Sequence, residues 1–157
     1  MNRVPPMNTG DSSGQPVSLL DDARIVELLR TAQRIAVVGA SSNPARPSNG
    51  VFRALVRAGY KCVPVNPNEN VVEGVAAVTT LAEAEIALGG RIDIVDVFRR
   101  PELTEGIARE AVAVGARTLW LQLGVVNWEA ARIAAEGGLA VVMNRCTAIE
   151  IRRVGSG

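Results

Sequence analysis

The chain has 157 residues, of which 48% are hydrophobic and 21% charged, and its formal net charge is +1. That length buries one sizeable core and is too short for two domains of ordinary size. Near-neutral charge and 3% aromatic content exclude a broad basic field or a row of base-stacking platforms, so neither nucleic acid nor an anionic membrane is expected as a partner.

Residues 1–17, rich in Pro, Gly, Asn and Ser, bury too little apolar surface to offset their ordering entropy and are expected to form a disordered tail. Residues 18–157 are expected to form a single domain. Its first element is a helix in SLLDDARIVELLRTA, with Leu19, Leu20, Ile25, Leu28 and Leu29 apolar and Asp21-Asp22 suited to a helix start. A strand follows at Arg34–Gly39, then a loop of small and polar residues, then a helix from about Ser48 to Gly59. That helix carries Val51, Phe52, Leu55 and Val56 on one face, and Gly59 is its stop. A second strand, Lys61–Val65, runs into the turn Asn66-Pro67-Asn68, and a third is expected near Val75–Val78.

A helix over Leu81–Leu88 ends at Gly89-Gly90, and a strand over Ile92–Val97 precedes a helix from Pro101 to about Val114, capped by Gly115. Thr118–Leu121 is a strand, Gln122-Leu123-Gly124 a loop, Asn127–Glu136 a helix, and Leu139–Met143 the last strand. Strands alternate with helices and are apolar on both faces. This pattern predicts an α/β three-layer sandwich with a mostly parallel, doubly wound sheet. No apolar run approaches the roughly 18 residues of a membrane span, and the first residues carry no signal-peptide core.

The chain has no histidine, which removes imidazole acid–base catalysis, phosphohistidine intermediates, Ser-His-Asp triads and imidazole metal ligation. Its two cysteines, Cys62 and Cys146, lie outside any metal-ligand spacing, so no metal is expected. Cys62 sits in an apolar strand and reads as a buried thiol. Cys146 is either a buried loop thiol or, beside Arg145, a nucleophile. Reduced thiols fit a cytoplasmic protein.

In open parallel sheets, ligands gather at the carboxyl ends of the strands. There the chain places Gly39, Ala40, Ser41, Asn43, Arg46 and Ser48 after the first strand, and Asn66 and Pro67 after the second. Phe98, Arg99 and Arg100 follow Val97, Gln122 and Gly124 follow the next strand, and Asn144, Arg145 and Cys146 the last. Hydrogen-bond donors and cations dominate, which suits phosphates and not proton abstraction. Arg46 is either a phosphate ligand or a solvated cation, and Ser48 reads first as a helix N-cap. Asp96 is either a site residue or a structural anchor, and Trp120 and Trp128 read as packing residues. Ser41 and Pro44 stand where G-x-G-x-x-G needs glycines, and Asn66 stands where NAD-binding chains carry an acid.

Five segments in order carry a family resemblance: VVGASSNPARPS (37–48), VPVNPN (63–68), IVDVFRRPE (94–102), LWLQLGVVN (119–127) and VVMNRCTAIE (141–150). Over Ala32 to Glu150 the chain resembles the small stand-alone CoA-binding proteins, whose Rossmann-like domain is similar to that of the succinyl-CoA synthetase alpha subunit. The resemblance implies a coenzyme A or acyl-CoA ligand lying across the strand ends. Gly39, Ala40, Ser41, Asn43, Arg46 and Ser48 would surround its phosphates. Asn66 and Pro67 would lie near the adenosine, and Val97, Phe98 and Arg99 beside nucleotide and pantetheine. Asn144 departs from the Asp of many relatives. The expected function is non-catalytic CoA binding, with no catalytic residue. The alternatives are an NAD(P)-dependent oxidoreductase or an acyl-CoA-handling enzyme subunit, and a partner chain or homo-oligomer is possible but not indicated by any motif.

Overall fold

The computed structural model describes residues 17–156, so residues 1–16 of the expected tail lie outside the described residues, while its last residue, Val17, packs against the core. Five strands form one parallel sheet: β1 (Arg34–Val38), β2 (Lys61–Val65), β5 (Ile94–Val97), β6 (Thr118–Leu121) and β7 (Ala140–Met143), in the order β2-β1-β5-β6-β7. The expected parallel, doubly wound α/β architecture is therefore the one observed. Helices α1 (Asp22–Thr31), α2 (Pro47–Arg57) and α6 (Thr147–Ser156) cover one face. Helices α3 (Leu81–Leu88), α4 (Thr104–Ala113) and α5 (Trp128–Glu136) cover the other.

Period-2 alternation sorts the strand side chains between the two faces. Ile35, Val37, Ile94, Trp120 and Val142 pack with Phe52 and Leu55 of α2 and Ile25 and Leu29 of α1. Ala36, Val38, Val95, Val97, Leu119, Leu121 and Val141 form the other core cluster with Leu81, Ala84 and Leu88 of α3 and the alanine-rich surfaces of α4 and α5. Alanines at 108, 111, 130, 131 and 134 are all fully buried, so these two helices lie close together. Trp120 is a packing residue as expected, with Nε1 donating to the Arg145 carbonyl at 2.8 Å. Trp128 differs: it is 55% exposed at the start of α5.

The third strand is also different. Val75–Ala76 (β4) pairs antiparallel with Val71–Val72 (β3) in a small hairpin outside the main sheet. Glu73 and Gly74 link them with φ of 49° and 80°, the two positive values that a tight two-residue hairpin turn requires. Among the described residues a single parallel bridge, Val65 to Val78, connects this excursion to β2. Helix α6 is an addition to the sequence reading. Ala148, Ile151 and Val154 pack it onto the core, and Arg145 ties it to α1 by an ion pair with Asp22 at 2.8 Å.

Registers place Val38 beside both Val65 and Val97, Val97 beside Leu121, and Leu121 beside Met143, so the strands end level with one another. The chain leaves β1 toward β2 on one side and returns to its other side as β5, which makes the β1–β5 boundary the switch point where such sheets bind ligands. At the opposite end Asp93 fastens the strand starts. Its carboxylate accepts from the Gln33 and Arg34 N–H groups at 2.8 and 2.9 Å and pairs with Arg117 at 3.0 Å.

Beneath the carboxyl ends lies one buried polar cluster. Asp96 is fully buried, accepts from Gln122 Nε2 at 2.6 Å and from Thr147 Oγ1 at 3.0 Å, and has no cation beside it among the described residues. Gln122 Nε2 also donates to Thr147 Oγ1 at 2.8 Å, so β5, the β6 exit and the α6 start are joined in one ring. Asp96 is thus the structural anchor of the two readings. Burial outweighs the two hydrogen bonds and pushes its carboxyl up to about 7.

A carboxyl raised on folding leaves the native state holding more protons than the unfolded one between about pH 4 and the native value. Stability contributed at this position therefore falls as pH rises through that window and levels off above about 7. In urea unfolding at a series of pH values, wild type is expected to lose stability relative to Asp96→Asn across the window; parallel profiles would contradict the assignment.

Candidate functional site

A cavity of about 570 Å³ opens at the switch point, within the size range of small-molecule sites. Its walls come from the β1–α2 loop, the residues after β5, the β6–α5 loop and the first turn of α6. The chain can bring these segments together because Gly39 ends β1 with φ of +88°. A Cβ there would lie 2.5 Å from the Phe98 carbonyl oxygen, so only glycine permits the contact between the β1 and β5 exits. The Gly39 N–H donates to Val65 O at 2.9 Å and the Phe98 N–H to Val38 O at 2.8 Å, extending the ladders to both exits.

Of the residues expected at the site, the fold brings Gly39, Ser41, Arg46, Ser48, Phe98 and Arg99 to the cavity wall. Ala40 is fully buried behind the loop, and Val97 is in the core under α4 and α5. Asn43 sits outside on the exposed turn, where its Oδ1 accepts from the Ala45 N–H at 2.9 Å. Asn66 is buried and latches two loops: its Nδ2 donates to Ala40 O and its Oδ1 accepts from the Asn68 N–H, both at 2.9 Å. Pro67 is exposed beyond it. None of these last five lines the cavity.

Ser48 departs from its expected capping role. The helix begins at Pro47 with Arg46 as N-cap, and Ser48 is a buried first-turn residue whose Oγ accepts from the Ser41 N–H at 3.1 Å. Pro47 supplies the fixed φ that starts the helix without needing a capping side chain.

The loop's backbone donors are largely engaged within the chain. Besides Ser41, the Asn43 N–H donates to Ser41 Oγ at 3.0 Å and the Arg46 N–H to Asn43 O at 3.0 Å. The loop is a rigid shelf more than an open cradle. Free positive charge comes instead from side chains. Arg46 and Arg99 have no ion pair among the described residues and both line the cavity, whereas Arg100 lies 3.6 Å from Glu102 and Arg145 pairs with Asp22.

The rest of the lining has a different character. Val51, Leu123, Val125, Pro101 and Ile149 make it apolar, with buried Gln122 and partly buried Cys146 among them. Gln122, Gly124 and Cys146 were legible as strand-end residues; Ile149 was not, because α6 was not anticipated. Asn144 adopts φ of 63° and its Oδ1 accepts from the Gly124 N–H at 2.7 Å, so its role is to hold the β6 loop. A neutral Asn suits both the left-handed backbone and that bond. Cys62 is buried at the β2 edge, where burial first and then the Asp96 charge push its thiol up to about 12.

The lining thus combines a phosphate-friendly set, Arg46, Arg99, Ser41 and Ser48, with an apolar set that holds one thiol. A family model described as a CoA binding domain matches residues 33–152. The chain is 44% identical over 124 residues to the uncharacterized protein YneT of Bacillus subtilis (strain 168), covering 79% of this chain and 89% of that one. It is 36% identical to a hypothetical protein from Pyrococcus horikoshii OT3 of solved structure, with a TM-score of 0.80 over 89% of this chain and 96% of the other. The fold alone is shared with a dinucleotide forming acetyl-coenzyme A synthetase of Ca. Korarchaeum cryptofilum, at a TM-score of 0.62 and 20% identity over 74% of this chain and 28% of that chain. The match over most of the sequence, with the fold and cavity above, means that this chain belongs to the CoA-binding domain family.

Proposed function

We propose that the chain binds coenzyme A or an acyl-CoA in the switch-point cavity and does no chemistry on it. The observation that carries this reading is a cavity lined both by two guanidinium groups that have no ion pair among the described residues, Arg46 and Arg99, and by apolar side chains. Coenzyme A has that same polarity: phosphates at one end, and a pantetheine arm ending in a thiol at the other. The phosphates would meet Arg46, Arg99 and the start of α2, where charge-assisted bonds and the helix's positive end favour anions. The pantetheine would run over Phe98 toward Gln122 and Cys146.

Nicotinamide dinucleotides fit less well. The side chain that ends β2, Asn66, is already bonded to Ala40 and Asn68 and so does not reach a ribose. Proton-transfer chemistry has little to work with either, because no carboxyl lines the cavity among the described residues, and buried Asp96 is engaged by Gln122 and Thr147. One observation keeps an enzyme reading in view: Cys146 lines the apolar pole where the ligand's thiol or thioester would lie.

Calorimetric titration with CoA tests the reading. Arg46→Ala is expected to weaken binding by about 1–3 kcal/mol, the range for a charge-assisted contact. Unchanged affinity would return Arg46 to solvent, and absence of heat from wild type well above micromolar CoA would overturn the reading itself. Alkylation with iodoacetamide at neutral pH addresses the apolar pole. Cys146 is expected to react in the folded chain, Cys62 to stay unmodified, and CoA to slow the reaction. Labelling of Cys146 that is indifferent to CoA would move the pantetheine elsewhere.

A further inference from the structure

The β1–α2 loop takes one of its hydrogen-bond acceptors from a distant part of the chain. Its Ser41, Asn43, Ala45 and Arg46 N–H groups donate to oxygens of the loop itself or of Ser48. Ser42 is different. Its N–H donates at 3.0 Å to Oε2 of Glu69, a residue beyond the end of β2 and 27 positions along the chain. The latch through Asn66 makes this reach possible, since Asn66 Nδ2 holds Ala40 O while Asn66 O accepts from the Glu69 N–H at 3.2 Å. The carboxylate is ionised at neutral pH, because the Ser42 backbone N–H first of all holds its carboxyl below the usual range.

A carboxylate oxygen and a phosphate oxygen are interchangeable partners for a backbone N–H at such a turn. Neither Ser42 nor Glu69 lines the cavity, but Ser42 directly follows Ser41, which does. We propose that Glu69 is an internal competitor anion: it occupies the Ser42 N–H in the free chain and has to yield it when an anionic group of the ligand arrives at the loop beside Ser41. Glu69 then sets how tightly the phosphate pole is held, without contacting the ligand. The neighbouring carboxylate, Glu73, does not compete in this way. It accepts at 3.1 Å from Nδ2 of buried Asn49, which also donates to Ser41 O and accepts from Arg53, so that bond belongs to the framework. The Ser42–Glu69 bond joins an exposed backbone group to a partly exposed side chain and is free to exchange.

This inference takes the CoA site from the proposed function but is testable apart from it. Glu69→Gln keeps an oxygen acceptor and removes the charge. CoA is expected to bind Glu69→Gln about fivefold more tightly than wild type at low salt, and the gain is expected to shrink as salt screens the carboxylate. Glu73→Gln removes the same charge from the adjoining hairpin and is expected to leave affinity within about twofold of wild type. Unchanged or weaker CoA binding by Glu69→Gln, or an equal gain in Glu73→Gln, would overturn the proposal. Inorganic pyrophosphate serves as a second probe, read at the Ser42 amide by NMR. Displacement of that amide signal at a lower pyrophosphate concentration in Glu69→Gln supports competition even if wild type ignores CoA, an outcome that would sink the CoA reading alone. A Ser42 signal indifferent to pyrophosphate in both chains would overturn the competition itself.

Discussion

Everything at the ligand end of this molecule depends on how closely two strand exits approach. Where β1 ends, the backbone turns through a left-handed conformation at Gly39 and presses against the carbonyl that ends β5, leaving no room for a side chain. That contact does two things together. It sends the chain outward into the shelf of Ser41 to Arg46, and it sets Phe98 and Arg99 against that shelf. A larger residue at Gly39 would separate the exits and with them the two cations of the cavity lining, Arg46 and Arg99.

The rigidity of this region comes from polar groups that serve each other. Ser41, Asn43, Ser48 and Asn66 were expected to meet a ligand, yet each has a bond that holds loop to loop or loop to helix. For buried Ser48 and Asn66 such pairing fixes geometry, because breaking the bond strands its partner away from water. The floor follows the same logic: Asp96, Gln122 and Thr147 satisfy one another and tie β5, β6 and α6 beneath the cavity. Ligand recognition is thereby left to groups that the framework does not require, namely the two guanidinium groups and the apolar wall.

Much of this was legible in the amino-acid sequence, and the reasons are local. The strands RIAVV, KCVPV and TLWL are short apolar runs bounded by Gly, Asn or Gln, and the fold uses them over those residues. The Asp21 cap, the Gly59 and Gly115 stops and the buried Cys62 follow from backbone or burial preferences that need no tertiary context. What escaped depends on distant partners or weak patterns. A hairpin with two residues per strand carries too few positions to display alternation, so its second arm passed for a sheet strand near Val75–Val78. Helix α6 hides its apolar stripe, Ala148, Ile151 and Val154, among Glu150, Arg152 and Arg153. The reach of Glu69 to Ser42, and of Asn66 to Ala40, is set by the β1–β2 register and has no signature in either segment alone.

The account's central claim is that one ligand spans the two poles of the switch-point cavity, phosphates by α2 and thiol by α6. Mapping amide NMR shifts during a CoA titration tests this most directly. The account predicts that the largest changes fall at Gly39, Ser41, Ser48 and Arg99 together with Gln122, Gly124 and Cys146, while the strand starts around Asp93 and Gly138 stay quiet. Shifts confined to one pole, centred on the strand starts, or absent at saturating CoA would contradict it.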